Sequence, residues 1–200
     1  LLTFLPRGRN FKLVDLGSGS NLPTIRALDL QGSGSHEIDV ISVEVVPESM
    51  AIGQNNVTAA RLDARYTFVL EDINSFLGRW EFGANQAIVT NPPYLPAPTD
   101  VPDKKNIPVN GGSDGSKYLQ LILEGNIPSG TWVAMQWSSL SNPLKIIGII
   151  EERYDVLYAV AHRTSFGKYT GSAALKPHLL RLGDQGIAVI ETDAAGTNYF

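Results

Sequence analysis

The chain has 200 residues, of which 43% are hydrophobic and 18% charged, and its formal net charge is −4. This length and composition predict one globular domain with a full core, and the acidic balance argues against bulk binding of nucleic acid, which usually requires a basic surface. The sequence contains no cysteine, which excludes disulfides and thiolate metal sites, and no apolar run approaches the roughly 18 residues of a membrane span.

Apolar runs with strand character alternate with helix-like segments, a pattern typical of an α/β protein with a parallel sheet. In chain order we predict a strand at Phe11–Leu16, a helix at Leu22–Leu30, a Gly/Ser turn at Gln31–Ser35, a strand at Asp39–Val45, a helix at Glu48–Val57 behind Pro47, a strand at Tyr66–Leu70, a short helix at Ile73–Leu77 and a strand at Gln86–Thr90. The second half continues with a helix capped by Ser113 or Asp114 and ending near Glu124, a strand at Thr131–Trp137, a helix from Asn142 to about Arg153, and closing strands at Tyr154–Ala161 and Gly186–Glu191.

Two connections are too long for simple turns. The first, residues 91–113, is rich in proline and glycine, and the second, residues 163–185, separates the two closing strands. Long connections in compact domains are usually functional or disordered. The second contains Arg163, Phe166, Lys168 and Tyr169 and is either a lid or recognition loop or a variable surface insertion.

The first strand runs into a glycine-rich turn flanked by acidic residues. Asp15 precedes Gly17, Ser18 and Gly19, and Glu44 lies at the end of the second strand. Because parallel strands end at the same edge of a sheet, both carboxylates are expected at the edge where ligands bind. A carboxylate there can accept two hydrogen bonds from a ribose diol.

The same turn argues against a dinucleotide site. The G-x-G-x-x-G pattern that places a helix N-terminus against a pyrophosphate is incomplete, and Asp15 would repel that anion. A cationic ligand fits better, and S-adenosyl-L-methionine carries both an ammonium and a sulfonium. The alternative is a glycine-rich turn beside a solvated acid. Asp72, after the third strand, either accepts a hydrogen bond from an adenine amine or caps the following helix.

Asn91-Pro92-Pro93-Tyr94 follows the fourth strand directly. Each proline fixes φ near −65° and removes a backbone N–H, and a residue before proline is pushed towards extended geometry. The segment therefore predicts a stiff loop with one amide side chain, bare carbonyls and an aromatic ring. Such a loop suits gripping a flat NH2 group, although a rigid turn after a strand is the simpler alternative.

Together these features resemble the class I S-adenosylmethionine-dependent methyltransferases, and within them the N-P-P-Y-bearing branch that methylates planar nitrogens. The resemblance extends from Phe11 to Glu191. It is carried by D-L-G-S-G-S at Asp15–Ser20, by Glu44 and by Asn91–Tyr94. The segment Gly111–Gly115 (G-G-S-D-G) is similar to one in the protein-(glutamine-N5) methyltransferases that modify peptide release factors, the HemK-like family. A helix-capping turn is the alternative for that segment.

The resemblance implies a Rossmann-like, mostly parallel seven-stranded sheet with its last strand antiparallel and helices on both faces. It implies that residues 1–200 form one S-adenosylmethionine-dependent methyltransferase domain. The N-terminal substrate domain of the release-factor enzymes is then absent or trimmed, and the lack of an initiator Met leads us to expect a trimmed start. Asn21 stands where the family has a third glycine, a position that Asn tolerates because it accepts left-handed geometry.

The resemblance also implies roles for matching residues. For the cofactor, Asp15, Gly17, Ser18 and Gly19 would line the methionine end, Glu44 would hold the ribose hydroxyls, and Asp72 with Ile73 would border the adenine. For catalysis, Asn91 and the Pro92 carbonyl would accept hydrogen bonds from the substrate NH2. Pro93 would stiffen the loop and Tyr94 would pack on the flat amide or base.

The predicted acceptor is a protein glutamine amide, and a peptide release factor is the candidate substrate protein. The alternatives are an exocyclic amine of adenine or guanine in RNA or DNA, and a methyltransferase fold that serves as an inactive partner subunit. None of the three histidines (His36, His162 and His178) has a partner at metal-ligand spacing, so no metal is predicted. The absence of cysteine fits a reducing compartment, and the absence of a signal sequence or membrane span leads us to expect a cytoplasmic protein.

Overall fold

The computed structural model describes residues 10–31, 38–83, 85–98 and 109–200. Most of the predicted Gly/Ser turn, His36 and the centre of the first long connection lie outside these ranges. The chain divides into two compact units. The first comprises the residues up to Asn91 together with Gly125–Gln136, and the second comprises Pro92–Glu124 together with Trp137–Phe200.

The first unit is built on a parallel sheet of five strands in the order β3-β2-β1-β4-β5. Its elements in chain order are β1 (Phe11–Leu16), α1 (Leu22–Gln31), β2 (Ile38–Glu44), α2 (Pro47–Ala59), a 3-10 turn (Asp63–Arg65), β3 (Tyr66–Leu70), α3 (Ile73–Arg79), β4 (Gln86–Thr90) and β5 (Trp132–Met135). The predicted parallel α/β sheet is therefore confirmed for these strands.

The core of this unit explains why β1 lies at its centre. Leu13 and Val14 point to opposite faces of the sheet, and both are buried, so both faces are covered at this strand. Leu13 belongs to a cluster that includes Leu28 of α1 and Val57 of α2. The small segment α3 contacts β2 and contributes the buried ring of Phe76.

The second unit contains three helices and a short hairpin. These are α4 (Lys117–Leu123), α5 (Pro143–Arg153), α6 (Lys176–Asp184), β6 (Glu191–Thr192) and β7 (Asn198–Tyr199). Its apolar cluster is formed by Leu140, Leu179, Leu182 and Ala188. None of the helices in the described parts of the chain combines the length and the apolar character needed to cross a membrane.

The prediction of seven strands in one sheet is wrong. The described residues form the five-stranded parallel sheet and a separate antiparallel pair, β6 and β7. The predicted strand at Tyr154–Ala161 is not formed, and Val156, Leu157 and Val160 are exposed. Their β-branched and aliphatic composition favours a strand, but composition alone does not create a ladder.

The second predicted closing strand, Gly186–Glu191, is replaced by a turn that follows the end of α6 at Asp184, and Glu191 begins β6. The N–H groups of Ile187 and Ala188 bond back to the Leu182 carbonyl, at 2.9 and 3.1 Å, and the Val189 N–H bonds to the Ser139 carbonyl at 2.9 Å. The backbone groups that a ladder would need are therefore used elsewhere. α4 also starts later than predicted, because Ser116, not Ser113 or Asp114, is its N-cap.

The core position of Leu13 gives a first testable prediction. Leu13 is 2% exposed and Leu30 is 70% exposed. We expect Leu13→Ala to lower the free energy of unfolding by about 2–5 kcal/mol because it leaves a cavity in the sheet core. The matched variant Leu30→Ala should change it by no more than about 0.5 kcal/mol. Urea unfolding followed by circular dichroism checks both, and equal effects would contradict the assigned core.

Candidate functional site

The loops that follow β1, β2 and β4 leave the sheet at the same edge. The last residue of β1 is level with the last residue of β4 and with the penultimate residue of β2. Gly17, Glu44 and Asn91 therefore lie at the same carboxyl edge, as the sequence predicted. The chain crosses from one side of β1 to the other between β3 and β4, which makes this edge the topological switch point where ligands of open α/β sheets bind.

The glycine turn after β1 uses its N–H groups internally. Gly17 and Ser18 both donate to the Val43 carbonyl, at 2.9 and 3.0 Å. Gly19 donates to Glu44 Oε2 at 2.8 Å. Gly17 and Gly19 have φ of 70° and 53°, the left-handed region that favours glycine. Because these donors are occupied, the turn does not offer them to phosphate oxygens, which agrees with the argument against a dinucleotide.

Glu44 holds the protein backbone as well as facing the site. Its Oε1 accepts hydrogen bonds from the N–H groups of Val45 and Val46, each at 2.8 Å, while Oε2 accepts from Gly19. A carboxylate has about four acceptor positions. Most of the acceptor capacity of Glu44 therefore fixes the turn. Its predicted ribose contact stays a prediction and would have to use the remaining capacity of Oε2.

Asp15 is buried, with a single side-chain partner. Thr24 of α1 donates its hydroxyl to Oδ2, and the residue is 6% exposed. Burial raises the pKa of Asp15 to about 6, the Thr24 hydrogen bond opposes this rise, and the negative charge of Glu44 adds to it. The ionised form of Asp15 is therefore costly in the protein alone. A bound cation would lower that cost.

Asn21 adopts the left-handed conformation that we expected at this position from the sequence, with φ of 57°. Its side chain is fully buried, and its amide Nδ2 and Oδ1 have no hydrogen-bond partner among the residues that the structure describes. A Cβ added to Gly53 of α2 would lie 2.4 Å from Asn21 Nδ2 and 2.9 Å from the Gly19 carbonyl oxygen. The glycine missing from the turn is thus matched by a glycine on the facing helix.

Gly53 was missed at the level of sequence. A glycine within a helix costs about 1 kcal/mol relative to alanine, so its place in the middle of α2 was a usable signal. The signal could not be interpreted without knowing which residue faces it.

Ile73 lies beside the glycine turn, whereas Asp72 is the N-cap of α3. Ile73 Cδ1 is 3.8 Å from the position that a Cβ on Gly17 would take. Asp72 caps α3 by accepting a hydrogen bond from the Asn74 N–H at 2.8 Å. The capping alternative is therefore realised for Asp72, and its contact with adenine remains a prediction.

The residues of the N-P-P-Y motif fall on either side of the division between the units. Asn91 is exposed in the first unit, whereas Pro92 is buried and Tyr94 is half-buried in the second. After the motif, Leu95 donates to the Val109 carbonyl at 3.0 Å and accepts from the Gly111 N–H at 2.8 Å. The chain after the prolines is therefore tied to the segment that ends in Gly111–Gly115.

The segment Gly111–Gly115 lies directly against the loop that contains Pro92, Pro93 and Tyr94, which we call the proline loop. A Cβ on Gly111 would lie 2.8 Å from Tyr94 Cα and 2.9 Å from the Pro93 carbonyl oxygen. A Cβ on Gly115 would lie 2.5 Å from the Tyr94 carbonyl oxygen, and Gly115 also has a φ of 78°. The two motifs, separate in sequence, form one structure, so the glycines do more than end a turn before α4.

Asp114 connects the segment Gly111–Gly115 by hydrogen bonds to the residues that precede α4 and α5. It accepts hydrogen bonds from the Ser116 N–H and hydroxyl, at 3.0 and 2.7 Å, and from Asn142 Nδ2 at 2.8 Å. Burial works against ionisation of Asp114, but the bonds from Asn142 and Ser116, with the charge of Lys145, leave its pKa below the ordinary value. Contacts within the second unit therefore favour the ionised form of the Asp114 carboxylate.

The segment 163–185 includes a helix and contacts with the C-terminal residues. It contains α6, and Arg163 forms an ion pair with Glu191 at 3.0 Å and lies over the Tyr199 ring at 3.9 Å. Phe166 packs against Phe200. Arg163 and Phe166 therefore make contacts with residues near the C-terminal end of the chain, whereas Lys168 and Tyr169 are exposed. Within the described residues, no group of three or more His, Cys, Asp and Glu side chains is placed to hold a metal ion.

Solved structures that are similar to this chain include methyltransferases. A precorrin-6y C5,15-methyltransferase from Geobacter metallireducens GS-15 gives a TM-score of 0.52 at 12% identity, over 99% of this chain and 81% of that one. An S-adenosylmethionine-dependent O-methyltransferase from Thermotoga maritima gives 0.52 at 15% identity, over 82% and 53%. No family model matches the chain, and no curated protein matches it. The chain has the Rossmann-like α/β fold of class I S-adenosylmethionine-dependent methyltransferases.

The facing pair of Asn21 and Gly53 predicts a specific energetic coupling. We expect Gly53→Ala to destabilise the protein by about 1–3 kcal/mol because its methyl group collides with Asn21. In an Asn21→Gly background the same change should cost about 1 kcal/mol less, since only the Gly19 carbonyl remains in the way. Gly78→Ala, at a helical glycine with open space, is the control. Identical costs of Gly53→Ala in both backgrounds, measured by urea unfolding, would refute the coupling.

Asp15 predicts a pH-dependent stability. Because its pKa is raised in the folded state, the folded protein binds the proton more tightly than the unfolded chain, and stability falls as pH rises from about 4 to about 6. Each unit of pKa difference corresponds to about 1.4 kcal/mol. Asp15→Asn, which keeps an acceptor for Thr24, should therefore be more stable than the wild type above pH 6, by up to about 3 kcal/mol. The advantage should disappear near pH 4 in thermal melts, and a constant difference across this range would exclude the assignment.

Proposed function

We propose that this chain is an S-adenosylmethionine-dependent methyltransferase that methylates a planar nitrogen, and that the acceptor is the side-chain amide of a protein glutamine. The observation that carries the proposal is the position of Asn91. It directly follows β4, whose last residue pairs with the last residue of β1 ahead of the glycine turn, at the switch point of the sheet, and it leads into a loop stiffened by two prolines.

The residues at this edge fit S-adenosylmethionine better than a phosphate-bearing cofactor. The N–H groups of Gly17, Ser18 and Gly19 are already bonded within the protein. Asp15 is a buried acid whose pKa is raised by its burial, an effect that the Thr24 hydrogen bond opposes and the negative charge of Glu44 increases. The methionine end of the cofactor would lie against Asp15 and the glycines, its ribose at Glu44, and its adenine beside Asp72 and Ile73. When bound, the cofactor supplies an electrophilic methyl group on a sulfonium.

The protein's part in the reaction is to hold the nucleophile. An amide nitrogen is a poor nucleophile because its lone pair is delocalised into the carbonyl. Asn91 Oδ1 and the Pro92 carbonyl would accept the two N–H groups of the substrate amide, and Tyr94 would cover its face. Holding both hydrogens favours a pyramidal, more nucleophilic nitrogen and fixes its direction of attack. The nitrogen loses its proton to water after methylation, when that proton is far more acidic, so no side chain is assigned as a general base.

Two features support glutamine over a nucleobase as the acceptor. The net charge of −4 does not favour a polyanionic substrate. The segment Gly111–Gly115, which resembles the glutamine-modifying branch, packs against the proline loop through Tyr94. A peptide release factor is the protein substrate that this resemblance proposes.

The test is methyl transfer from tritium-labelled S-adenosylmethionine into a cell lysate, followed by separate digestion of protein and nucleic acid. We expect label in protein, recovered as N5-methylglutamine on amino-acid analysis. Label in a nucleobase would replace the acceptor with adenine or guanine. Binding of the cofactor without any transfer would indicate the inactive partner subunit, and an absence of binding in calorimetry at millimolar concentration would overturn the proposal as a whole.

Asn91→Ala tests the role of the loop directly. We expect turnover to fall about 100-fold or more, because the substrate nitrogen loses an orienting acceptor, while the dissociation constant of S-adenosylmethionine stays within about twofold. Asn55→Ala, which removes another exposed Asn of the first unit, serves as the control and should leave both quantities unchanged. Full turnover by Asn91→Ala would remove the loop from the mechanism.

A further inference from the structure

The proline loop lacks the usual means of being held in place. Pro92 and Pro93 have no backbone N–H, so neither can donate a hydrogen bond that would anchor this part of the chain. The loop can be fixed only through its carbonyl oxygens, through close packing, or through residues that follow it. The second unit supplies such contacts from two segments distant in sequence.

The first contact comes from Ser141, in the turn that leads into α5. Its hydroxyl donates to the Tyr94 carbonyl at 2.7 Å, across 47 positions of sequence. Ser141 is fully buried, and its own N–H bonds to the Ser138 carbonyl at 2.9 Å. Its Cα lies 3.0 Å from the position of a Cβ on Gly115. Ser141, Gly115 and Tyr94 are therefore packed together without room for a larger side chain at the glycine.

The second contact is made by His178 of α6. Its Nε2 lies 3.0 Å from the Ser113 carbonyl oxygen, and its Nδ1 lies 2.6 Å from Arg181 Nη2. A guanidinium only donates hydrogen bonds, so Nδ1 is the acceptor and Nε2 carries the proton that is donated to Ser113. His178 is buried, at 8% exposure. It braces the middle of the Gly111–Gly115 segment from the side of α6.

We infer that Ser141 and His178 are positioning residues for the substrate loop, Ser141 by holding the Tyr94 carbonyl and His178 by holding the segment against which Tyr94 lies. The inference rests on the proposed function, because it assumes that Tyr94 packs on the substrate amide. It assigns to α6 and to the turn before α5 a role in catalysis without any contact with the substrate. Neither residue is part of the N-P-P-Y motif or of the glycine turn.

The test compares two serines in the same turn. Ser139 also donates its hydroxyl to a backbone carbonyl, at 2.8 Å, but that carbonyl is the one of Val189 and not one of the proline loop. We expect Ser141→Ala to lower kcat about 10- to 100-fold on the protein fraction that the wild type labels, with the dissociation constant of S-adenosylmethionine unchanged. Ser139→Ala should keep the wild-type kcat. Equal kcat values for Ser141→Ala and the wild type would overturn the inference.

Hydrogen exchange followed by mass spectrometry gives a second readout that does not need the acceptor. The N–H groups of Leu95, Ala97 and Gly111 are hydrogen-bonded in the loop and its partner segment. Their exchange should accelerate in Ser141→Ala and remain unchanged in Ser139→Ala. If the wild type shows neither binding nor transfer, the proposed function fails, and this measurement still decides whether Ser141 holds the loop. Unchanged protection in Ser141→Ala would refute that role.

His178 keeps the inference testable if Ser141→Ala folds poorly. A glutamine at this position carries one donor and one acceptor, as the neutral imidazole does, whereas leucine carries neither. We expect His178→Leu to lower kcat about tenfold or more and His178→Gln to restore most of it, at equal affinity for S-adenosylmethionine. A purely structural role would lower thermal stability in both variants without separating their kcat values, and that outcome would exclude His178 from the positioning of the loop.

Discussion

The lateral register of β1 between β2 and β4 is the constraint on which the candidate site depends. Its parallel ladders bring the glycine turn, Glu44 and Asn91 to one edge of the sheet. A slip by one residue would exchange the side chains on the two faces, and both faces of β1 are buried at Leu13 and Val14. The sheet core therefore fixes the relative positions of the loops, and the loops contribute the candidate functional residues.

Two acids at this edge have different environments and hence different roles. Glu44 accepts hydrogen bonds from three backbone N–H groups, and these bonds fix the turn after β1 against the end of β2. Asp15 has the Thr24 hydroxyl as its side-chain partner and is buried, so its charge is costly to maintain. A cationic ligand gains most beside the acid whose charge is least compensated. Under the proposed function, Asp15 rather than Glu44 would therefore be the residue that favours a sulfonium or an ammonium.

The second unit shows how a loop without N–H donors can still be rigid. Backbone packing on Gly111 and Gly115 leaves no space for movement towards that segment, and a serine hydroxyl holds the Tyr94 carbonyl. Asp114 and His178 then connect the glycine segment to α5 and α6. Ser141 and His178 are buried, Asp114 is half-buried, and all three are hydrogen-bonded; such networks define one geometry because alternatives leave a group without a partner.

The sequence by itself determined the five parallel strands, the glycine turn, the acid at the end of β2 and the proline loop after β4, because hydrophobic period, glycine and proline act locally. It could also anticipate the left-handed Asn21. It could not show that Tyr154–Ala161 and Gly186–Glu191 fail to form strands, since a strand needs a ladder partner that composition does not specify. The tertiary structure alone decided that Gly53 faces Asn21, that Gly111 and Gly115 lie against the proline loop, and that Ser141 and His178 bond to the Tyr94 and Ser113 carbonyls. These contacts join residues far apart in the chain, and only packing brings such residues within hydrogen-bonding distance.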